Sequence, residues 1–286
     1  SVEIIQKYAS RLAGWVSERD SGQAEAINKG LQRANGDIVA WLNSDDLYLP
    51  GALRQAVAAL QADANLGFVF GNALTIDPSG RPLNPLTFGD WGLKELMGFR
   101  IICQPAVFMR RAVLERAGYL KLDFHYMLDH HLWLRMARLA PVQHIPSLLA
   151  AARHHPSAKN VSQAPGFGRE TLRVLAWMQS DPDFAPLAAQ NRRFIEGGAY
   201  RLNARYLLDG GLARQALRGY GKALLADPAY AARHWRRILF ALASSLGLKR
   251  LGQAFAHMQP RRNRQVFSER AKIDGIQGWP GVKIEP

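Results

Sequence analysis

Ala34-Asn35-Gly36-Asp37-Ile38-Val39-Ala40-Trp41-Leu42-Asn43-Ser44-Asp45-Asp46 is the stretch on which the fold turns. Asn35-Gly36 suits the end of a helix, since glycine accepts the left-handed backbone that commonly follows a last helical turn. Asp37 to Leu42 reads as a buried strand, bounded by turn-forming residues at both ends. Upstream, Ala24, Ile27, Leu31 and Ala34 recur at helical spacing behind Ser21, a fair cap for a helix from Gln23 to Ala34. Downstream, Pro50 opens another helix through Leu60, followed by a strand from Gly67 to Gly71 and a turn at Asp77-Pro78-Ser79-Gly80. Further out, Ile102 to Met109 reads as a strand and Arg111 to Ala117 as a short helix. Asp129 stands near the start of a helix with Leu132, Trp133, Met136 and Leu139 on its apolar side, and Val142 to Ala152 contains one more strand. At the other end, Val2 to Tyr8 looks like the end of a helix and Gly14 to Ser17 like a short strand. This alternation up to about Arg153 predicts an α/β layered domain. From Phe167 onward the pattern is almost wholly helical.

The strand that ends in Asp45-Asp46 carries the strongest chemical signal. In open α/β sheets, ligands bind beyond the carboxyl ends of strands. Two adjacent carboxylates there repel each other unless a cation or donor groups compensate them. A hard divalent ion such as Mg²⁺ or Mn²⁺ takes one or two such carboxylates together with substrate phosphates, and acts as a Lewis acid toward a diphosphate leaving group. The competing reading is that Asp45 and Asp46 merely cap the next turn. Asp129 has the same two readings. A carboxylate near a helix N-terminus meets backbone N–H groups and the positive end of the dipole, which favour its ionised form, or it simply caps the helix.

Ser17-Glu18-Arg19-Asp20-Ser21-Gly22-Gln23-Ala24-Glu25-Ala26-Ile27-Asn28-Lys29-Gly30, followed by Ala34 to Asp46, closely resembles family 2 glycosyltransferases of the GT-A fold. The pattern is an Asp-x-Gly-Gln turn, an Ala-x-Asn-x-Gly helix, an Ala-x-Gly-Asp step and a strand ending in Asp-Asp. The resemblance continues through Gln104-Pro105-Ala106-Val107-Phe108 to Leu128-Asp129-His130-His131-Leu132-Trp133-Leu134-Arg135, and so covers roughly residues 1–153. It implies a metal-dependent, inverting transfer from a nucleoside-diphosphate sugar to a saccharide or lipid-linked acceptor. Asp46 matches the carboxylate that holds the metal, Mg²⁺ or Mn²⁺, on the donor diphosphate. Asp45 matches its neighbour, which reaches the donor ribose or the metal shell. Asp20 and Asn28 sit where the family lines the nucleotide pocket, and Asp129 matches the base that deprotonates the acceptor hydroxyl. Many members carry Arg just before the position of Asn28, where this chain has Ile27, so one diphosphate contact is absent or supplied elsewhere. The family's first strand, first helix and second strand are expected before Ser1, so the chain reads as an N-terminally truncated GT-A domain.

Six of the eight histidines lie between Asp123 and Pro156. No zinc-type spacing accompanies them, and most read as surface or hydrogen-bonded residues. His155, or its neighbour His154, is placed to add a third metal ligand, as in some GT-A enzymes. Gln104 and Arg135 are candidates for acceptor or donor contacts, or for structural roles.

The expected organisation is a partial GT-A domain over residues 1–155, a helical appendage over 156–258 and a basic tail over 259–286. Within the appendage, Tyr200 to Tyr230 resembles one tetratricopeptide-like hairpin, with small residues where its helices touch. The chain has a formal net charge of +14. Residues 191–286 hold 18 Lys and Arg against 6 Asp and Glu, so nearly all of this excess is C-terminal. His234 to Arg250 is basic and apolar, fitting a helix that lies on an anionic membrane surface or an ordinary packed helix. Aromatics are not interleaved with the basic run as stacking platforms, so no nucleic acid is expected as a partner. The single Cys103 excludes an internal disulfide framework, no run is long and apolar enough to span a membrane, and no signal peptide is read. The expected location is cytoplasmic, with peripheral contact on the inner face of the membrane as one of the two readings of the basic helix. Two alternatives stand beside the enzyme: a basic helical scaffold for a nucleic acid or protein partner, and a catalytically inert fragment that binds a nucleotide sugar.

Overall fold

The computed structural model describes residues 1–155 and 157–248. In the first part, short helices and strands alternate in the order α1 (Val2–Lys7), α2 (Gln23–Arg33), β1 (Ile38–Val39), β2 (Leu47–Tyr48), α3 (Ala52–Ala62), β3 (Phe68–Ile76) and β4 (Pro82–Leu86). They continue with α4 (Leu93–Met97), β5 (Val107–Arg110), α5 (Arg111–Ala117), α6 (Leu128–Leu139) and β6 (Val142–Arg153). The rest is helical: α7 (Lys159–Ser162), α8 (Ala164–Ser180), α9 (Ala185–Gln190), α10 (Arg192–Asp209), α11 (Ala213–Ala226), α12 (Pro228–Ala232) and α13 (Trp235–Ser245).

The six strands form one sheet in the order β1-β5-β3-β6-β2, with β4 sharing the β5 edge of β3. β3 and β6 pair in parallel and the other pairs are antiparallel. β1, β3 and β6 therefore run the same way, and the segments leaving their carboxyl ends gather at one edge. Side-chain alternation splits the core into two layers. Phe68 and Phe70 of β3, with Val107 and Met109 of β5, face α2, α5 and α6. Val69 and Ala73, with Phe108, face the small-residue side of α3 at Ala52, Ala56 and Leu60. Gly71 lies where β3 and β6 come closest: a Cβ there would fall 2.3 Å from the Leu149 side chain.

The structure corrects the sequence reading in several places. Gly14 to Ser17 forms no strand, and Trp15 and Val16 lie exposed, without a neighbouring strand to pair with among the described residues. The strand expected from Asp37 to Leu42 shortens to Ile38–Val39, the two residues that β5 pairs. The expected Ile102–Met109 strand starts only at Val107, because Gln104–Ala106 turn as a 3₁₀ helix around Pro105, which has no N–H to give a sheet. Arg135 is structural: its guanidinium donates to the carbonyls of Ala117 and Tyr119 and so closes the end of α5. His130 and His131 are not surface residues. They are 1% and 3% exposed, pack against the rings of Phe99 and Phe124, and burial pushes their pKa down to about 4 and about 3. They serve as neutral aromatic core.

The helices beyond residue 158 close on the sheet layer. Gly198 of α10 meets Gly98 at the end of α4 so tightly that a Cβ would fall 2.1 Å from the Gly98 carbonyl oxygen. Arg201 Nη2 donates to the Phe99 carbonyl at 3.1 Å beside that contact. α10 and α11 form a helical hairpin that begins at Arg192, before the Tyr200–Tyr230 stretch read from sequence, and they touch at Gly219 and Ala204. Among the described residues no helix is long and apolar enough to cross a membrane. The tail expected at Gln259 to Pro286 lies outside the described residues.

Candidate active site

A cleft of about 540 Å³ opens at the edge where β1 and β6 end. Its walls include Trp41, Asp45, Asp46, Gln104, Asp129 and His155. Five candidates from four separate stretches of sequence thus meet in one opening.

The acidic pair is held by its own loop and by the end of β6. Asp46 Oδ1 accepts the Arg153 backbone N–H at 3.0 Å, and Oδ2 accepts Asn43 Nδ2 at 3.0 Å. Burial raises the Asp46 pKa, opposed by those two donors and reinforced by the charge of Asp45. Asp45 is more open. Its Oδ2 lies 3.3 Å from His155 Nε2, and His155 Nδ1 lies 2.8 Å from Ser157 Oγ. Arg153 Nε donates to the Asp45 carbonyl at 3.0 Å, tying the loop to β6 from below. Gln104 donates to the Trp41 carbonyl at 2.7 Å and accepts from Asn43 at 3.1 Å, which fixes the exit of β1.

Asp129 enters from the first turn of α6. The N–H of His130 donates to its Oδ1 at 2.7 Å. Burial nevertheless dominates and pushes its pKa up to about 6, with the charge of Glu170 acting in the same direction. The helix N-terminus therefore does not keep this carboxyl strongly acidic, as its position alone suggests. It stays ionised at neutral pH and binds a proton more firmly than an ordinary aspartate. α6 is anchored behind it by Trp133, whose ring stacks on Trp41 at 5.2 Å.

Asp20 and Asn28 are not brought into the cleft. Asp20 Oδ1 accepts the Gly22 N–H at 2.9 Å in the turn before α2. Asn28 exchanges two hydrogen bonds with the backbone of Leu120, at 2.9 and 3.0 Å, and so staples α2 to the loop before α6. Ile27 packs into the core. The basic groups that do line the cleft are Arg153 and Lys159. Lys159 Nζ donates to the His125 carbonyl at 2.6 Å and to Gln23 Oε1 at 3.2 Å, and burial lowers its pKa. Sequence reading missed both. A basic side chain just after a strand that ends at the acidic loop is the only local signal for either.

Asp45 and His155 face each other with an oxygen and a nitrogen donor, and each Asp46 oxygen retains a lone pair beyond its one hydrogen bond. Among the described residues no group of three or more His, Cys, Asp and Glu side chains converges on one point.

The model of the family described as glycosyl transferase family 2 matches residues 1–117. The amylovoran biosynthesis glycosyltransferase AmsE of Erwinia amylovora is 26% identical over 192 residues, which is 65% of this chain and 67% of that protein. The O-antigen biosynthesis protein RfbC of Myxococcus xanthus is 27% identical over 163 residues, 57% of this chain but 13% of that protein. The chain thus spans only a part of several longer curated relatives. Among solved structures, S. aureus TarS 1-349 in complex with UDP-GlcNAc is similar with a TM-score of 0.55 at 14% identity, over 90% of this chain and 79% of that one. The mannosyltransferase PcManGT from Pyrobaculum calidifontis, in complex with GDP-Man and Mn²⁺, gives 0.52 at 18% identity, over 98% and 75%. These likenesses show the GT-A fold, with a helical region following it. Residues 1–117, which hold the strand and acidic pair described above, are similar to glycosyl transferase family 2.

Proposed function

We propose that this chain transfers a sugar from a nucleoside-diphosphate sugar to a hydroxyl of a saccharide or lipid-linked acceptor, with inversion. The observation that carries the reading is the meeting of Asp45, Asp46 and Asp129 in one cleft. Asp129 accepts the proton of the acceptor hydroxyl as that oxygen attacks the anomeric carbon and the bond to the diphosphate breaks. Asp45 and Asp46, with His155 facing Asp45, would bear a Mg²⁺ or Mn²⁺ ion only together with the donor diphosphate and water, and the ion would neutralise charge on the departing diphosphate. Arg153 and Lys159 add positive charge at the same end, in place of the arginine absent at Ile27. Asp20 and Asn28 act by building the turn and the α2 staple. The solved neighbours bound to UDP-GlcNAc and GDP-Man support the donor class, and the amylovoran and O-antigen relatives support a polysaccharide product. The domains we assign are a GT-A unit to residue 155 and a helical unit after it.

Thermal melting of the chain against UDP, GDP and dTDP, with and without Mn²⁺, tests the donor site. One nucleotide should raise the melting temperature only with Mn²⁺, and Asp46→Ala should abolish that rise. Saturating at about 100 times the Kd stabilises by about 2.7 kcal/mol, a readily measured shift. No nucleotide-dependent shift in the folded protein would sink the reading.

Peripheral contact with an anionic membrane forms part of the proposal. Trp235, Leu239 and Leu242 are exposed at helical spacing along α13, with Leu246 exposed just beyond its end and Arg233 and Arg236 nearby. The chain should co-sediment with vesicles containing anionic lipid and not with neutral ones, and Leu239→Glu with Leu242→Glu should release it. Equal recovery of wild type and double variant from both vesicles would remove this part of the proposal.

A further inference from the structure

Glu170 stands on α8, beyond the segment that the family model matches, and is 7% exposed. Its side chain does not point to solvent or to a cation. Oε1 accepts the backbone N–H of His125 at 2.8 Å, and Oε2 accepts those of Tyr126 at 2.7 Å and Met127 at 2.8 Å. Three successive N–H groups thus converge on one carboxylate, the arrangement by which backbone nests hold anions. Those residues lead directly into α6, whose second residue is Asp129.

The same loop is gripped from several sides by the same pair of helices. Arg173 forms an ion pair with Asp123 and donates to its carbonyl at 2.7 Å. The Tyr126 hydroxyl donates to Gln163 Oε1 at 2.8 Å, and Lys159 Nζ reaches the His125 carbonyl. Gly166 lets the Tyr126 ring lie flush against α8, where a Cβ would fall 2.5 Å from the ring. Of these partners, Glu170 alone is nearly buried and spends both side-chain oxygens on the backbone that immediately precedes Asp129.

We propose that Glu170 is a positioning residue for the transfer reaction: it fixes residues 125–127 so that the Asp129 carboxylate stays aimed into the cleft. The helical region is then part of the catalytic apparatus and not only a packing unit. This inference rests on Asp129 being the base. A base displaced by about 1 Å can cost about 10²-fold in rate without changing what binds the donor.

The test is steady-state kinetics of Glu170→Ala and Glu170→Gln, at a temperature where circular dichroism shows both fully folded, with kcat normalised to sites that bind the donor nucleotide. Glu170→Ala should lower kcat by about 10²-fold with the donor KM little changed. Glu170→Gln keeps one accepting oxygen and should fall between it and wild type. If the alanine variant does not fold, the glutamine variant carries the test alone. Wild-type kcat in a folded Glu170→Gln, or a loss that lies wholly in donor KM, overturns the proposal. Asp129→Asn run alongside separates the two assignments. If it is inert while both Glu170 variants turn over normally, only the Glu170 role fails. If Asp129→Asn turns over at the wild-type rate, the base assignment fails and the Glu170 proposal falls with it.

Discussion

Replacing Asp129 by Asn should lower kcat by about 10²–10⁴-fold, the usual worth of general-base assistance, while nucleotide-dependent thermal stabilisation persists. The substitution keeps the shape of the side chain and its oxygen acceptor for the His130 N–H. It removes only the capacity to take a proton. Burial pushes the Asp129 pKa up to about 6, so the carboxylate form prevails above that value and the inert acid form below it. The rate should therefore fall about tenfold for each pH unit below pH 6 in the wild type, a limb that the Asn variant lacks. A limb at the same pH in the variant would assign it to another group and remove Asp129 from the chemistry.

Trp133→Ala should lower the stability of folding by about 3–5 kcal/mol, against a total of about 5–15 kcal/mol for a typical native protein. Trp133 is 1% exposed and lies between Trp41 and Phe68, with ring centroids 5.2 and 5.4 Å away. Phe68 is fixed in β3 and Trp41 in the segment leaving β1, so they have little freedom to collapse into the vacated space. At about 1–3 kcal/mol per molar urea, the midpoint of unfolding should fall by at least about 1 M. Equilibrium urea titration followed by far-ultraviolet circular dichroism measures it. A loss below about 1 kcal/mol would mean that the ring is not part of the core. Trp41 also lines the cleft, so the same variant should weaken nucleotide binding.

Much of this architecture was legible locally. The spacing of Ala24, Ile27 and Leu31 gives α2, and the apolar run into Asn43-Ser44-Asp45-Asp46 gives both β1 and the acidic end of the cleft. The sequence around Leu128 to Arg135 places Asp129 on the first turn of α6. Short strands escaped notice, because Leu47–Tyr48 and Pro82–Leu86 owe their extended form to partners in β6 and β3 and to no pattern of their own. Glu170 escaped for the same reason, since its three partners lie more than 40 positions earlier in the chain. One signal was available: Glu170 falls in phase with Val174 and Met178 on the buried stripe of α8, where a lone carboxylate needs donors. Asn28 shows a local motif whose structural partner lies far off in the chain. Its motif position is the one the resemblance gives to the nucleotide pocket, and in the structure it joins α2 to Leu120 and does not line the cleft.

The parallel pairing of β3 with β6 sets the order in which this protein can come together. Asp45 meets His155 across 110 positions and Asp46 meets Arg153 across 107, so both contacts require closure of very long loops. Such high-contact-order pairings form late, after helices and hairpins of local origin are already in place. A nascent chain that has not yet laid down β6 would hold a formed α2 and α3 but no cleft. In the mature protein, fraying of β6 near Arg153 would abolish the site without dissolving the core. Local opening there, and not global unfolding, would govern how long the catalytic form survives.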